Sequence, residues 1–269
     1  MSYNLYGGRG HMIGEDLAAI AEVLQRIQPD LAALQEVDRG TRRAEQRDVA
    51  AELGKQLGLH TVFSPAIRTS GGEYGNALLS RWPLTEAQHI ALPDIPDRER
   101  RSMVIARVEI PDRQGGPLRL AGTHFDHNSG DTNRVLQARA VLKEVQRDGL
   151  PLLLGGDFNC SPKSPPFRIL SGGMLDTRRD HPRPTWSSKQ PQVNIDSILA
   201  YPGDAWRVVE VRTGDELFPE DPKWRDLLQR ASDHLPVLVV LERKPTNAET
   251  SDGSERFRDG VADRVHDAR

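Results

Sequence analysis

Apolar and polar positions in the first part of the chain alternate between helical and strand spacing. Apolar residues within 17–27 recur every three or four positions, and Pro29 ends the predicted helix. The apolar run at 31–34 predicts a buried strand. A second amphipathic helix is predicted at 49–57, where Gly58 serves as its C-terminal cap. The pattern therefore indicates a βα alternation.

The pattern changes after residue 60, where short runs of strand-forming residues are separated by turns that contain glycine or proline. Such runs are typical of antiparallel strands. One more helix is predicted after the cap residue Asp131, and the proline-rich stretch 162–166 predicts a loop. In chain order, the predicted strands lie at 61–63, 77–79, 103–110, 118–121, 150–154, 193–199, 206–211 and 237–241.

Composition predicts one folded domain and a tail. The chain has 269 residues, of which 37% are hydrophobic, and this is enough for a sizeable core. After Arg243 large apolar residues almost disappear, and such a segment cannot bury enough surface to order itself. We therefore expect a folded domain over 1–243 and a charged, disordered tail over 244–269. Residues 2–5 have the pattern of a strand's end, which leaves open whether the natural start lies upstream.

Charge and cysteine content narrow the class of protein. The formal net charge is -3 and the pI is near 6.3, so the chain as a whole lacks the basic character of a nucleic-acid-binding protein. The single cysteine, Cys160, rules out an internal disulfide framework and is typical of a reducing compartment. No apolar run is long enough to span a membrane. We expect a monomer in the cytoplasm, without stable membrane insertion.

The stretch 150–159 contains the first candidate catalytic residues. Its apolar residues predict a short buried strand, and Gly155 and Gly156 predict a tight turn that brings the backbone close to a ligand. Asp157 and Asn159 would then emerge together at the strand's end. A carboxylate and an amide close together suit metal-assisted attack on a phosphate. The carboxylate can orient the attacking water, and the amide can stabilise the negative charge that develops on a phosphate oxygen. An Asx turn that merely closes the strand has the same sequence.

Several other strand ends also finish in an acid, an amide or a histidine. No cysteine and no close histidine pair occurs among them, so the set is rich in oxygen and suits magnesium or manganese rather than structural zinc. The chemistry that this set implies is phosphoryl transfer. Each member also has an ordinary structural explanation, such as a solvated strand edge for Glu36, a core position for His124 or an Asx cap for Asp233. The strand-end residues are Asn4, Glu36, His124, Asp157, Asn159, Asp196, Asp233 and His234.

Seven short motifs follow one another along the chain, and six of them contain these residues. They are Tyr3-Asn4, Leu34-Gln35-Glu36-Val37-Asp38, Tyr74-Gly75-Asn76-Ala77, Thr123-His124-Phe125-Asp126, Gly156-Asp157-Phe158-Asn159, Ile195-Asp196 and Ser232-Asp233-His234-Leu235-Pro236. In this order and spacing they resemble the endonuclease/exonuclease/phosphatase family, which includes DNase I-like nucleases, neutral sphingomyelinases and inositol-polyphosphate 5-phosphatases. The resemblance spans Ser2 to about Leu241. It implies a four-layer αββα sandwich: two mixed β-sheets packed face to face, helices outside, and a site where loops gather at one edge.

The resemblance also implies a metal site that binds Mg²⁺ or Mn²⁺. Glu36 would be the principal ligand, with Asn4 beside it. Asp233 would complete the acids on the metal side, and Asp157 and Asn159 are further expected ligands. A cation there would neutralise phosphate charge without a proton transfer.

The same resemblance implies catalytic roles for five residues. Asp157 would orient the attacking water or act as its base, and Asn159 would donate to a phosphoryl oxygen. His124 would donate to the phosphate or to the leaving oxygen. Asp196 would orient His234, which acts as a base or as a donor in the transition state, because a carboxylate fixes the tautomer of a histidine and raises its basicity.

Arginines, tryptophans and one asparagine have two interpretations each. Arginines after Glu36 and before the strand at 103–110 either bind substrate phosphates or lie in solvated loops, and the loops are favoured. The tryptophans either stack on a base or pack in the core, with core packing the commoner case. Asn76 either contacts substrate or belongs to a hairpin. The arginines are Arg42, Arg43, Arg47, Arg98, Arg100 and Arg101, and the tryptophans are Trp186, Trp206 and Trp224.

The sequence thus predicts a metal-dependent phosphoesterase in which activated water attacks phosphorus in line. A small or soluble phosphodiester or phosphomonoester is favoured, because the chain lacks a lysine-rich groove for duplex DNA and an apolar anchor for a membrane lipid. The alternatives are an endonuclease or exonuclease acting on DNA or RNA, and a sphingomyelinase-like phosphodiesterase. From other classes, we weigh a scaffold acting through the tail and an inactive binding domain. An inactive domain should lack Glu36, Asp157, Asp196 or His234, and all four are present.

Overall fold

The computed structural model describes residues 1–7, 13–111 and 117–244. The predicted folded domain falls mainly within these ranges, whereas the predicted disordered tail lies outside them apart from Lys244. Across these ranges, no helix is both long enough and apolar enough to cross a membrane.

The described residues contain twelve strands and five α-helices. In chain order the strands are β1 (Ser2–Asn4), β2 (Leu31–Arg39), β3 (His60–Thr69), β4 (Gly72–Ser80), β5 (Leu84–Ala91), β6 (Ser102–Val108), β7 (Leu118–His124), β8 (Leu152–Asp157), β9 (Leu175–Asp176), β10 (Asp196–Tyr201), β11 (Trp206–Thr213) and β12 (Val237–Arg243). The helices are α1 (Ile13–Ile27), α2 (Val49–Leu57), α3 (Thr132–Gln146), α4 (Pro165–Gly173) and α5 (Trp224–Ala231).

The strands form two six-stranded mixed sheets. The first sheet has the order β11-β12-β1-β2-β4-β3, and the second has the order β5-β6-β7-β8-β10-β9. The central pairs, β1 with β2 and β7 with β8, are parallel, and all the other neighbours are antiparallel. Both sheets therefore have a parallel pair at the centre with antiparallel strands on either side.

The pair Gly155 and Gly156 lies inside β8, so the tight turn predicted for it is wrong. A Cβ added at Gly155 would lie 2.8 Å from the Cβ of Ala33 in the facing sheet. A Cβ added at Gly156 would lie 3.0 Å from Thr123 of the neighbouring strand. Glycine is needed here because the two sheets approach closely, and the strand consequently continues to Asp157.

Three apolar cores separate four layers. One core lies where α1, α2 and α5 cover the first sheet, and it includes Leu24, Leu34 and Trp224. A second lies where α3 and α4 cover the second sheet, around Phe158. The third lies between the sheets and includes Leu78. The helices are outside and the sheets face each other, which confirms the αββα sandwich.

Several elements differ from the pattern-based expectation. α4 occupies part of the stretch predicted as a loop, because Pro165 and Pro166 fit the first turn of a helix, where no backbone N–H is needed. The strand predicted at 193–199 begins only at Asp196. β5 and α5 were not predicted at all.

Candidate active site

Three neighbouring strands of the second sheet bring polar side chains to one edge. His124 is the last residue of β7, Asp157 is the last residue of β8, and Asp196 is the first residue of the antiparallel β10. In the register of the sheet, Asp157 lies opposite both His124 and Asp196. The sheet therefore places three of the predicted site residues side by side.

The first sheet contributes Asn4 and Glu36. β1 ends at Asn4 as expected, but Glu36 does not end its strand, since β2 continues to Arg39. The pairing of β2 with β4 shifts between Leu34 and Val37, and Glu36 has a φ of 56°. Such a bulge redirects a side chain out of the regular alternation of the strand. Glu36 accordingly lines the same cleft as the residues from the second sheet.

Asn4 links the carboxylates of the two sheets. Its Nδ2 donates to Glu36 Oε1 at 3.2 Å and to Asp157 Oδ2 at 2.9 Å. Its Oδ1 accepts the backbone N–H of Tyr6 at 2.9 Å, and this contact fixes the orientation of the amide. Asn4 therefore holds Glu36 and Asp157 together, while its role as a metal ligand stays a prediction.

His234 and Asp196 form a buried pair. Nδ1 of His234 donates to Asp196 Oδ2 at 2.9 Å, and the two residues are 5% and 0% exposed. Burial alone would lower the pKa of His234, but the carboxylates of Asp196 and Asp157 outweigh it and raise the pKa to about 10. The ring is therefore an imidazolium at neutral pH. Its Nε2 lies 3.7 Å from Asp157 Oδ2.

Asp157 is the central carboxylate of the site. Burial and the nearby Asp196 raise the pKa of Asp157 to about 7, although His234 and the hydrogen bonds from Asn159 and Asn4 act in the opposite direction. Oδ1 of Asp157 accepts the backbone N–H of Asn159 at 2.9 Å. A carboxyl group with a pKa near neutrality can exchange a proton at physiological pH, which is the property required of a general base.

His124 and Asn159 lie against the same carboxylate. Nε2 of His124 is 2.9 Å from Nδ2 of Asn159 and 3.4 Å from Asp157 Oδ2. Nδ2 of Asn159 also donates to the carbonyl of Phe125 at 3.0 Å. Asn159 has a φ of 48°, a conformation that asparagine tolerates better than most residues. The two polar nitrogens are thereby held close together next to Asp157.

Asp233 lies next to His234 and lines the cleft. Its Oδ2 accepts the indole N–H of Trp186 at 3.0 Å, and its Oδ1 lies 3.9 Å from His234 Nε2. Oδ1 is buried and has no hydrogen-bond partner among the described residues.

The carboxylates of the cleft are of the chemical type that binds divalent cations. Asp157, Asp196 and His234 have ligand atoms within 4.8 Å of one another, but the hydrogen bond between Asp196 and His234 already occupies one atom of each. Glu36, Asp157 and Asp233 line the same cleft and offer only oxygen ligands, the type that a hard cation prefers. Burial raises the pKa of Glu36, and Oδ1 of Asp233 is buried with no hydrogen-bond partner in the described part of the chain. Both properties are expected of carboxylates that a positive charge would stabilise.

The cleft has a volume of about 450 Å³. His127, Trp186 and Val193 also line it. Trp186 and Val193 form an isolated antiparallel bridge, and each is 42% exposed. Sequence reasoning assigned no role to His127 or Val193. His127 could have been identified from its position three residues after His124, whereas nothing in the sequence indicated a role for Val193.

Two of the arginines considered from the sequence line the cleft, Arg43 and Arg101. Arg43 donates to both carboxylate oxygens of Asp38, at 2.9 and 3.0 Å. Arg101 is 3% exposed and contacts two histidines. Arg47 instead pairs with a neighbouring glutamate and does not line the cleft.

The tryptophans divide between the site and the core. Trp206 and Trp224 are 5% and 1% exposed and pack in apolar cores, so only Trp186 of the three lines the cleft. Asn76 is buried and donates to the carbonyl of Ser102 at 3.0 Å. It lies in β4 just after a hairpin turn and does not line the cleft.

Comparisons with known proteins identify the family of the chain. The model of the endonuclease/exonuclease/phosphatase family matches residues 1–234. The protein YbhP of Escherichia coli (strain K12) is 25% identical over 176 residues, which are 63% of this chain and 63% of that protein. The chain thus matches less than two thirds of the length of this relative.

Solved structures share the fold. The mannosyl-6-phosphatase Bt3783 of Bacteroides thetaiotaomicron has a TM-score of 0.66 and 20% identity, over 90% of this chain and 98% of that chain. The catalytic domain of human Nocturnin, with bound sulfate, has a TM-score of 0.68 and 20% identity, over 90% of this chain and 92% of that chain. At these identities the comparison establishes the fold.

Proposed function

The chain belongs to the endonuclease/exonuclease/phosphatase family, and on that premise we propose that it is a divalent-metal-dependent hydrolase of phosphoesters. The main observation behind the proposal is that residues from both sheets line one cleft. Glu36 comes from a bulge in one sheet, and Asp157 ends the central strand of the other. The buried pair of Asp196 and His234 lies next to them.

We assign the cation to Glu36, Asp157 and Asp233. When bound, it would neutralise phosphate charge and lower the pKa of water, as Mg²⁺ and Mn²⁺ do in such sites. Asn4 keeps Glu36 and Asp157 in place through its two hydrogen bonds. The amide nitrogen of Asn159 contacts His124 Nε2 and the carbonyl of Phe125, so its expected roles as a ligand and as a donor to a phosphoryl oxygen both stay predictions.

Asp157 and His234 have complementary proton states. A pKa of about 7 lets Asp157 accept a proton from water, whereas a pKa of about 10 keeps His234 protonated. We therefore assign Asp157 as the base and His234 as the donor that stabilises negative charge on the phosphoryl group. Asp196 holds the imidazolium in position through Nδ1.

The cleft supports a small or soluble phosphoester as substrate. Trp186 and Val193 expose apolar surface beside the acids, and the ester group of a small substrate can rest on it. Arg43 is already paired with Asp38, and the formal net charge of the chain is -3, so a long polyanion gains little there. Bt3783, which shares the fold, is described as a mannosyl-6-phosphatase.

We also keep the cytoplasm as the proposed location and a monomer as the proposed state. The lone Cys160 is buried, and burial raises the pKa of its thiol to about 11, which suits an inert residue in a reducing compartment.

A panel of phosphoesters supplied with Mg²⁺ tests the substrate class. The panel contains bis(nitrophenyl) phosphate, nitrophenyl phosphate, a hexose phosphate, an RNA oligonucleotide, plasmid DNA and sphingomyelin. We expect the small esters to have the highest kcat/KM. The variant Asp157→Asn, prepared in the same way, measures the activity of any contaminating phosphatase. Cleavage of plasmid DNA or sphingomyelin alone would overturn the proposed substrate class, and no hydrolysis of any ester by folded protein would overturn the proposed activity.

A further inference from the structure

The loop segment 186–188 holds the main chain on both sides of Asp233. Trp186 and His234 form an isolated antiparallel bridge. The backbone N–H of Ser188 donates to the carbonyl of Asp233 at 2.6 Å, and the hydroxyl of Ser188 donates to the carbonyl of Ser232 at 2.7 Å. The backbone that carries Asp233 is therefore fixed by this loop.

The same loop also holds one oxygen of the Asp233 carboxylate. Nε1 of Trp186 donates to Oδ2 at 3.0 Å, and the direction of this bond is certain because an indole N–H is a donor only. Oδ1 is buried and has no hydrogen-bond partner in the part of the chain that the structure describes. Oδ1 lies 3.9 Å from Nε2 of His234, and Oδ2 of Asp157 lies 3.7 Å from the same nitrogen. The oxygen that the indole leaves without a partner is thus near a second carboxylate of the cleft.

Trp186 is itself held in place, although it is 42% exposed. Its backbone N–H donates to the carbonyl of Val193 at 3.1 Å, and its carbonyl accepts the N–H of Val193 at 3.0 Å. The buried guanidinium of Arg178 donates to the carbonyl of Arg183, before the loop, and to Oδ1 of Asn194, after it, both at 2.6 Å. The two ends of the loop are therefore tied to one buried side chain, and the indole is presented to Asp233 from a fixed backbone.

We propose that Trp186 is a positioning residue that occupies Oδ2 of Asp233, so that Asp233 offers a cation only Oδ1 and the site prefers Mg²⁺ or Mn²⁺ to Ca²⁺. The inference rests on the proposed function, in which Asp233 is an assigned metal ligand. Ca²⁺ often takes both oxygens of one carboxylate in a flexible geometry, whereas the smaller Mg²⁺ demands a near-octahedral arrangement with few protein ligands. A carboxylate with one oxygen already bonded to a donor suits the smaller ion.

Titration calorimetry of the full chain with Mn²⁺ and with Ca²⁺, without substrate, measures this role apart from any activity. Trp186→Phe keeps an aromatic ring in the cleft and removes the N–H donor. We expect its affinity for Mn²⁺ to fall by roughly 10–100-fold, the usual effect of losing a group that orients a metal ligand. Its affinity for Ca²⁺ should fall less, because Oδ2 becomes available. Trp206→Phe is the matched control, since the indole of Trp206 donates to the carbonyl of Tyr201 at 3.1 Å and does not line the cleft. This control should leave both affinities unchanged.

An unchanged Mn²⁺ affinity in folded Trp186→Phe, or equal losses for Mn²⁺ and Ca²⁺, would overturn the proposal. The wild type provides a second test that does not depend on the variant, because binding of Ca²⁺ as tight as that of Mn²⁺ would overturn the proposal even if Trp186→Phe failed to fold. Either result beside Mn²⁺-dependent hydrolysis by the wild type would leave the proposed function intact. Metal binding as expected with no hydrolysis of any ester would instead contradict the proposed function and leave the role of Trp186 established.

Discussion

Asp157→Asn should lower kcat by roughly 10²–10⁴, the range of general acid–base catalysis, and added manganese should not restore it. The amide keeps the shape of the side chain and its contact with the backbone N–H of Asn159, but it cannot accept a proton from water. Glu36→Gln should behave differently, because Glu36 is assigned to the cation alone, whereas Asp157 is assigned both to the cation and as the base. That change should weaken metal binding more than it slows chemistry, so excess manganese should restore part of the activity.

The measurement is turnover against manganese concentration for both variants beside the wild type, with circular dichroism to confirm that each is folded. The two variants serve as controls for each other, since each replaces one acid of the cleft by its own amide. Rescue of Asp157→Asn by metal, together with no rescue of Glu36→Gln, would require the two roles to be exchanged.

His234→Ala should also lower kcat by roughly 10²–10⁴, because the imidazolium is the assigned donor to the phosphoryl group. Asp196→Asn should have a similar effect, since the buried hydrogen bond of 2.9 Å between Asp196 and His234 holds the ring and favours its protonated form. The double variant should be little worse than the more impaired single variant, because the two side chains act as one unit.

The double-mutant cycle is measured with one small ester at saturating Mg²⁺. Asp176→Asn offers a matched control, as Asp176 is another largely buried aspartate of the second sheet but does not line the cleft. A double variant as impaired as the product of the two single effects would mean that Asp196 and His234 act independently.

The sequence predicts which residues lie together in the site better than it predicts their geometry. Polar residues after apolar runs identify His124 and Asp157 as residues at strand ends, and the sheet places them beside Asp196. The register that does so depends on pairings between segments far apart in sequence, which periodicity does not contain. The bulge at Glu36 could not be predicted either, because a φ of 56° is uncommon for glutamate.

The glycines of β8 show how one residue type can serve two purposes. The sequence predicts a tight turn at Gly155, although a glycine also permits a close approach of another chain segment. The second explanation holds, since a side chain there would collide with Ala33 of the facing sheet. Only the packing of the two sheets distinguishes these two explanations. That packing is part of the tertiary structure, which the spacing of residues along the chain does not show.

Short elements were the least predictable. α5 has eight residues, and its buried positions, Trp224, Leu227, Leu228 and Ala231, have helical spacing. The spacing could have identified it, although Pro219 and Pro222 lie just before the segment. β5 is an edge strand with mostly exposed side chains, so it lacks the apolar alternation that marks a half-buried strand.

Removal of the metal tests the central claim most directly. The wild type is treated with EDTA, dialysed, and assayed with a small phosphoester that it cleaves, first without metal and then with added Mg²⁺ or Mn²⁺. Asp157→Asn assayed in parallel gives the background rate. If carboxylates from both sheets hold a catalytic cation, activity should fall to that background and return with either metal. Full turnover in the presence of the chelator would contradict the account.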